Sequence, residues 1–264
     1  MQDLDVTIVQ CELVWEDAAA NLALFERRFK ESVGRTDLVV LPEMFTTGFS
    51  MNAEKLAEEM TGETVAWMRE TALAGKTAVT GSFIARDAGR FYNRLIWVQS
   101  DGTLHVYDKK HLFRMSGEHE IYSAGDKNIT LVLKGWRIRP FICYDLRFPS
   151  WTRNVDNAYD AAVFVANWPA PRSMHWRTLL RARAIENLSY VIGVNRIGKD
   201  GNGRMYDGCS SIIGPAGEII CQKKQEPAIH TARLSHASLE VYRKSFPAWM
   251  DADDPVAAGR EVER

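Results

Sequence analysis

The chain has 264 residues, 46% apolar and 25% charged, a composition that excludes disorder as a description of the whole. Its 33 basic and 34 acidic side chains leave a net charge of −1, with neither the basic footprint of a nucleic-acid binder nor the amphipathic basic stripe of a membrane-surface protein. No apolar stretch approaches the ~20 residues of a membrane helix, and Gln2, Asp3 and Asp5 lack the cationic start of a signal peptide, so the expectation is a cytoplasmic protein.

Residues 7–13 read as a short strand. A helix is predicted over 17–33, where Leu22, Phe25, Phe29 and Val33 share one face. The L-V-V-L run at 38–41 has strand length and ends at Pro42 and Glu43. A helix over 63–73 and a strand over 78–84 follow. Hairpins are expected over 94–107, closed at Ser100-Asp101-Gly102, and over 129–143, turning at Lys134-Gly135. The second half repeats the pattern with a strand at 161–166, a helix at 176–188, a strand at 190–194 and a hairpin at 210–222. Gly198, Gly201, Gly203 and Gly208 lack dinucleotide-fingerprint spacing and a following helix, so they read as a loop. Strands separated by helices imply a layered α/β fold, and the hairpins make its sheets mixed. A length near 260 would allow two domains at ~150 residues each. No linker divides the chain, however, so one domain over 1–264 is expected. A C-terminal arm begins at about 238, and its Tyr242, Phe246, Pro247 and Trp249 should pack on the body or on a partner subunit.

Glu43 ends a buried strand, where a carboxylate must be hydrogen-bonded, paired or catalytic because isolated burial is costly. Cys143 follows the apolar end of R-I-R-P-F-I-C-Y-D-L-R-F-P, and Pro149 could open a helix just beyond. A thiol at such a turn can be accessible and reactive; the alternative is a small buried hydrophobe. Cys11, Cys209 and Cys221 take that second reading, since the four cysteines show no zinc spacing and are too few for a disulfide framework. Lys109 and Lys110 stand at a strand end, where paired lysines are usually solvated. His111 and His175 raise the possibility of a Cys–His pair.

L-P-E-M-F, Y-D-K-K-H-L-F and I-C-Y-D-L-R-F-P, in this order, resemble the signature of the nitrilase (carbon–nitrogen hydrolase) superfamily. The likeness continues through E-H-E-I-Y-S-A-G-D, N-W-P-A-P-R, H-W and R-A-R-A-I-E-N, covering most of the chain. It implies a four-layer α-β-β-α sandwich with two mixed sheets. It also implies a Glu43, Lys109 and Cys143 triad, the lysine two before the histidine being the catalytic one. The family's second glutamate stands seven residues before a glycine with an aromatic between, which fits Glu118, Tyr122 and Gly125 but not Glu120. Glu43 would act as general base and Cys143 as nucleophile; Lys109 and the Tyr144 N–H would hold the oxyanion, and a thioester would form. No histidine is then required, and no metal or organic cofactor is implied. The resemblance also implies a homodimer, with the C-terminal segment reaching across.

Within the superfamily, V-F-V-A-N-W-P-A-P-R looks most like bacterial omega-amidases, which cleave the terminal amide of short dicarboxylic monoamides such as 2-oxoglutaramate and 2-oxosuccinamate. Such a substrate carries a carboxylate, which needs a cation. Arg172 is the candidate and Arg147 the rival, although Arg147 is expected to pair with an acid. Trp168, Phe45 and Phe49 would supply apolar walls. Other readings with the same triad are a carbamoylase, an aliphatic amidase or a nitrilase; a non-catalytic binding protein on this fold is a further alternative. The partners expected are a small amide and water, with neither nucleic acid nor membrane.

Overall fold

Continuous apolar runs need cover on both faces, and the strands built from them form the centres of two sheets. A computed structural model describes residues 2–32 and 36–252; the predicted helix position Val33 and the tail after Asp254 lie outside them. The first sheet comprises β1 (Leu4–Gln10), β2 (Leu38–Val40), β3 (Ala78–Asp87), β4 (Arg90–Val98), β5 (Leu104–Asp108) and, at the far edge, β13 (Ala228–Leu234). The second comprises β6 (Leu131–Leu133), β7 (Trp136–Ile142), β8 (Ala161–Ala166), β9 (Tyr190–Asn195), β10 (Ile197–Lys199), β11 (Met205–Ile213) and β12 (Ile219–Lys224). Their orders are β13-β1-β2-β3-β4-β5 and β10-β11-β9-β8-β7-β6, with β12 also paired to β11. Parallel centres, β1-β2-β3 and β7-β8-β9, are flanked by antiparallel pairs, so both sheets are mixed.

Strand alternation distributes the layers. In β2, Leu38 and Val40 join the core between the sheets, whereas Val39 faces the helices Ala18–Ser32 and Glu63–Gly75 through Phe25, Val65 and Met68. On the outer face of the second sheet, Trp176, Leu180 and Ala184 of helix Ser173–Asn187 pack against its strands. The result is the α-β-β-α order. No helix among the described residues is long and apolar enough to cross a membrane.

Several boundaries differ from the sequence reading. β3 runs to Asp87 and turns into β4 at Ala88-Gly89, both at positive φ (+47° and +75°), a hairpin turn that alanine seldom signals. The glycine-rich stretch read as a loop contains β10 and the start of β11, which pair antiparallel. Residues 228–234, assigned no structure from sequence, form an edge strand whose exposed alternate residues dilute the apolar signal. The C-terminal segment packs on its own body as far as helix His236–Ser245: Leu239 enters the core between the sheets and Arg243 is buried.

Candidate active site

The turn after β2, the end of β5 and the end of β7 meet at one place. Glu43 leaves β2 through a turn tied to β3, where Leu41 N donates to Thr80 O (2.8 Å) and Met44 N to Ser82 Oγ (2.9 Å). Met44 is buried at φ +41°, and Glu43 itself is fully buried. Its Oε1 accepts from Asn93 Nδ2 (2.8 Å) and Lys109 Nζ (2.9 Å), and its Oε2 from Asn167 N (2.7 Å). The Asn167 amide also donates to the Glu43 carbonyl at 2.5 Å, fixing the residue at both ends.

Lys109 follows β5, its N–H bonded to Asn93 O (3.0 Å) and its carbonyl to Gly125 N (2.9 Å). A Cβ on Gly125 would meet Asp108 O at 2.2 Å, so the glycine of the Glu118 pattern permits this close approach. The ammonium reaches Glu118 Oε1 (2.9 Å) and Oε2 (3.0 Å) as well as Glu43, and lies 5.1 Å from the centre of the Phe49 ring. Lys110 turns away over Trp151. Glu118 is buried and accepts from Phe113 N at 2.5 Å, whereas Glu120 is exposed.

Cys143 follows β7 at φ +43°, a left-handed conformation that costs a non-glycine residue about 1–3 kcal/mol and marks functional turns. It opens a 3₁₀ turn, Cys143–Arg147, so Tyr144 N–H sits in the first turn, where amides have no intrahelical acceptor. Pro149 opens the next short helix as expected. Cys143 is partly exposed, whereas Cys11, Cys209 and Cys221 are buried.

One ammonium among two carboxylates and a thiol sets the electrostatics. Burial pushes the Cys143 thiol well above its ordinary value; the charge of Glu43 adds to this and Lys109 opposes it. Glu118 is raised by burial and by Glu43, against the pull of Lys109. Burial works against the charge of Lys109, but Glu118 and Glu43 outweigh it and hold the ammonium protonated. The thiol therefore rests protonated beside a carboxylate that can take its proton, with a permanent cation at hand. This arrangement can perform nucleophilic acyl transfer with a carboxylate as base.

The pocket above these groups has about 430 Å³ of empty space including its open mouth. Glu43, Lys109 and Cys143 line it with Tyr144, Trp168, Phe49, Arg172 and Arg147. Phe113, Asn167, Pro169, Arg204 and Tyr206 complete the wall, none of them assigned a role from sequence. Phe45 corrects the sequence reading. It is fully buried on the helical side of the first sheet, against Phe25 (5.4 Å) and Trp67 (5.9 Å), with Gly81 leaving room for its ring. Arg147 is a second correction: no acid pairs with it among the described residues. Its Nη2 meets His175 Nδ1 at 2.8 Å and its guanidinium lies over Trp168 at 5.0 Å. Arg172 stands over Phe113 (5.4 Å), and its carbonyl accepts from Trp168 Nε1 (2.7 Å). Neither histidine bonds to Cys143; His111 Nδ1 meets Asp145 Oδ1 at 2.8 Å. Among the described residues no cluster of three or more His, Cys, Asp or Glu is placed to hold a metal ion.

Asn93, Asn167 and Asp145 are the contributors that sequence reasoning missed. Asn167 and Asp145 stand inside the quoted motifs N-W-P and C-Y-D, so a signal existed; Asn93, in mid-strand, gave none.

Residues 5–244 match the family described as Carbon-nitrogen hydrolase. Omega-amidase YafV of Escherichia coli (strain K12) is 49% identical over 96% of this chain and 98% of its own. The 2-oxoglutaramate amidase of Bacillus subtilis (strain 168) is 32% identical over 93% of this chain and 96% of its own. A crystal structure of a CN-hydrolase superfamily protein from Xanthomonas campestris, with an arsenic adduct in its active site, superimposes with a TM-score of 0.94 at 44% identity, covering 96% of this chain and 98% of that one. Sequence signature, sandwich and relatives agree: the chain belongs to the carbon–nitrogen hydrolase family.

Proposed function

We propose that this protein is an omega-amidase that hydrolyses the terminal amide of a short dicarboxylic monoamide, such as 2-oxoglutaramate or 2-oxosuccinamate, to the acid and ammonia. The observation that carries the reading is a Glu43–Lys109–Cys143 floor beneath a wall holding Arg147, Arg172 and Arg204. The floor suits an amide carbon, and the guanidinium groups suit the carboxylate at the other end of a short substrate. The likeness to omega-amidase YafV and to the 2-oxoglutaramate amidase supports the same substrate class.

Cys143 loses its proton to Glu43 as the sulfur–carbon bond forms. The oxyanion is held by Lys109 Nζ and Tyr144 N–H, donors of a kind that typically supply ~3–4 kcal/mol each. Collapse breaks the carbon–nitrogen bond, and Glu43 returns the proton so that ammonia leaves a thioester. Water then attacks, giving its proton to Glu43, which passes it to the departing Cys143 sulfur. Glu118 holds the Lys109 ammonium with both oxygens, which keeps it aimed at the developing oxyanion. Trp168 and Phe49 form the apolar walls.

The working unit is one catalytic domain acting as a cytoplasmic homodimer. A surface groove lined by Arg177, Arg181, Ile185, Ile213 and Ile219, with Ile185 and Ile219 about half exposed, supports self-association on the outer helical layer. The test of function is ammonia release from 2-oxoglutaramate and succinamate by the wild type beside Cys143→Ala. Release that vanishes in the variant is expected. Release from neither amide by folded protein sinks the substrate class, and equal release by both proteins removes the nucleophile.

A further inference from the structure

Asp145 is fully buried two residues after the nucleophile and is not among the residues that line the pocket. Its Oδ2 accepts from Tyr107 OH (2.7 Å) and from Ile142 N (3.0 Å). Its Oδ1 accepts from His111 N (2.9 Å) and meets His111 Nδ1 at 2.8 Å. Since a carboxylate with four donors around it only accepts, the His111 ring donates through Nδ1–H. Two of the three residues that supply these donors, Tyr107 and His111, flank Lys109 in the chain, one on each side of it. The third, Ile142, delivers the chain into the strained Cys143. The two strand ends that carry the ammonium and the thiol are thus joined through one side chain.

We infer that Asp145 is a positioning residue for the reaction proposed above: it ties the Tyr107–His111 segment to the Ile142–Cys143 turn and so fixes the Cys143 sulfur and the Tyr144 N–H relative to Lys109. The surroundings support this assignment. His111 is stacked on Phe148 at 3.8 Å, and Trp151 Nε1 donates to Tyr107 OH (3.0 Å), so the donors are themselves held. The φ of +43° at Cys143 needs such over-determination, because a free turn would relax to a right-handed or extended conformation. Four donors also demand a carboxylate rather than an amide. In Asp145→Asn one oxygen becomes an NH₂ that must face either two donors or the His111 pair, so at least one connection breaks although the shape is kept.

A group that positions the nucleophile and oxyanion donors matters to the transition state and not to ground-state binding. The experiment therefore compares two inhibitors in wild type and Asp145→Asn: succinate, a ground-state ligand, and succinic semialdehyde, whose carbonyl carbon bonds to the Cys143 sulfur while the thiol proton passes to Glu43, leaving a hemithioacetal oxyanion. Asp145→Asn is expected to lower kcat for succinamate about 100-fold with KM within threefold. The Ki of the semialdehyde should rise in parallel, while the Ki of succinate stays within threefold. Equal weakening of both inhibitors would show a generally deformed pocket and overturn the inference, as would an unchanged kcat. Tyr107→Phe removes one connection and should give the same split at about one-tenth the size, which serves if Asp145→Asn does not fold. If the wild type ignores both inhibitors, the substrate reading fails. Asp145 is then judged on any amide the enzyme turns over, where a loss carried by KM instead of kcat overturns its role.

Discussion

At the pocket floor one ammonium, Lys109, is shared by two carboxylates, Glu43 and Glu118. Beneath helix His236–Ser245 the proportions are reversed: one carboxylate, Asp160, is shared by the guanidinium groups of Arg137 (2.7 Å) and Arg243 (2.8 Å). Burial alone would raise Asp160, but the two arginines and the Arg137 N–H outweigh it and hold the carboxyl below its ordinary range. Burial lowers Arg243, yet a guanidinium stays charged throughout the neutral range. Arg243 also donates to Leu188 O and Tyr159 O, so this cluster is saturated and its protons have nowhere to go. The floor cluster has acid to spare, a raised Glu118 and a protonated thiol. Buried ion groups therefore divide by balance: an excess of acceptors leaves a proton that can move, and an excess of donors makes a clamp.

The largest expected effects come from exchanging the two roles. Cys143→Ala should cost about 10⁴-fold or more in kcat and leave the melting temperature nearly unchanged, because alanine keeps the Cβ and the left-handed turn and removes only the thiol. Asp160→Asn should keep kcat within about twofold but lose roughly 3–5 kcal/mol of stability, the usual penalty for stranding one side of a buried pair. Steady-state kinetics and denaturant melts on both variants decide the matter. A clamp variant that is stable but inactive, or a floor variant that unfolds, would break the comparison.

A smaller effect follows from pH. Asp160 has a folded pKa below its unfolded value of about 3.8, so its contribution is fully present above that value and is lost as pH falls through the folded one. Thermal melts between pH 6 and pH 2.5 should show wild type losing stability at the acid end, with a shallower slope in Asp160→Asn. Parallel slopes would mean that other carboxylates carry the acid limb.

Much of this was legible in the sequence. The alternation of apolar runs gave β8 with its observed limits, because a strand buried on both faces carries an undiluted signal. β13 was missed for the opposite reason, its exposed edge residues being polar. Glu43, Lys109, Cys143 and Glu118 were legible through a resemblance, and the structure brings them within reach of one pocket. Asn93 was not, since an asparagine in mid-strand becomes informative only when β4 is paired in register with β3 and β5. Phe45 was misplaced because a turn at positive φ, at Met44, sends the next side chain to the other face of the sheet.

The smallest effect concerns arginines that belong to neither cluster. Among the described residues no carboxylate pairs with Arg147 or Arg172: the first meets His175 and covers Trp168, the second covers Phe113. Held against aromatic faces beside a pocket, such cations keep their orientation and retain N–H groups for an anion, although Arg147 spends one on His175. Arg172→Ala should therefore raise KM for succinamate about 10-fold, or ~1.4 kcal/mol, just under the ~1.5–3 kcal/mol of a charged hydrogen bond, with kcat within about threefold. Butyramide, which has no carboxylate, should show no change. Arg147→Ala tests the rival: whichever arginine carries the difference between the two amides faces the substrate carboxylate, and a KM that rises equally for both would leave that arginine a wall. The outcome extends the comparison to a third balance, in which a cation without a partner in the free protein gains one only when substrate arrives.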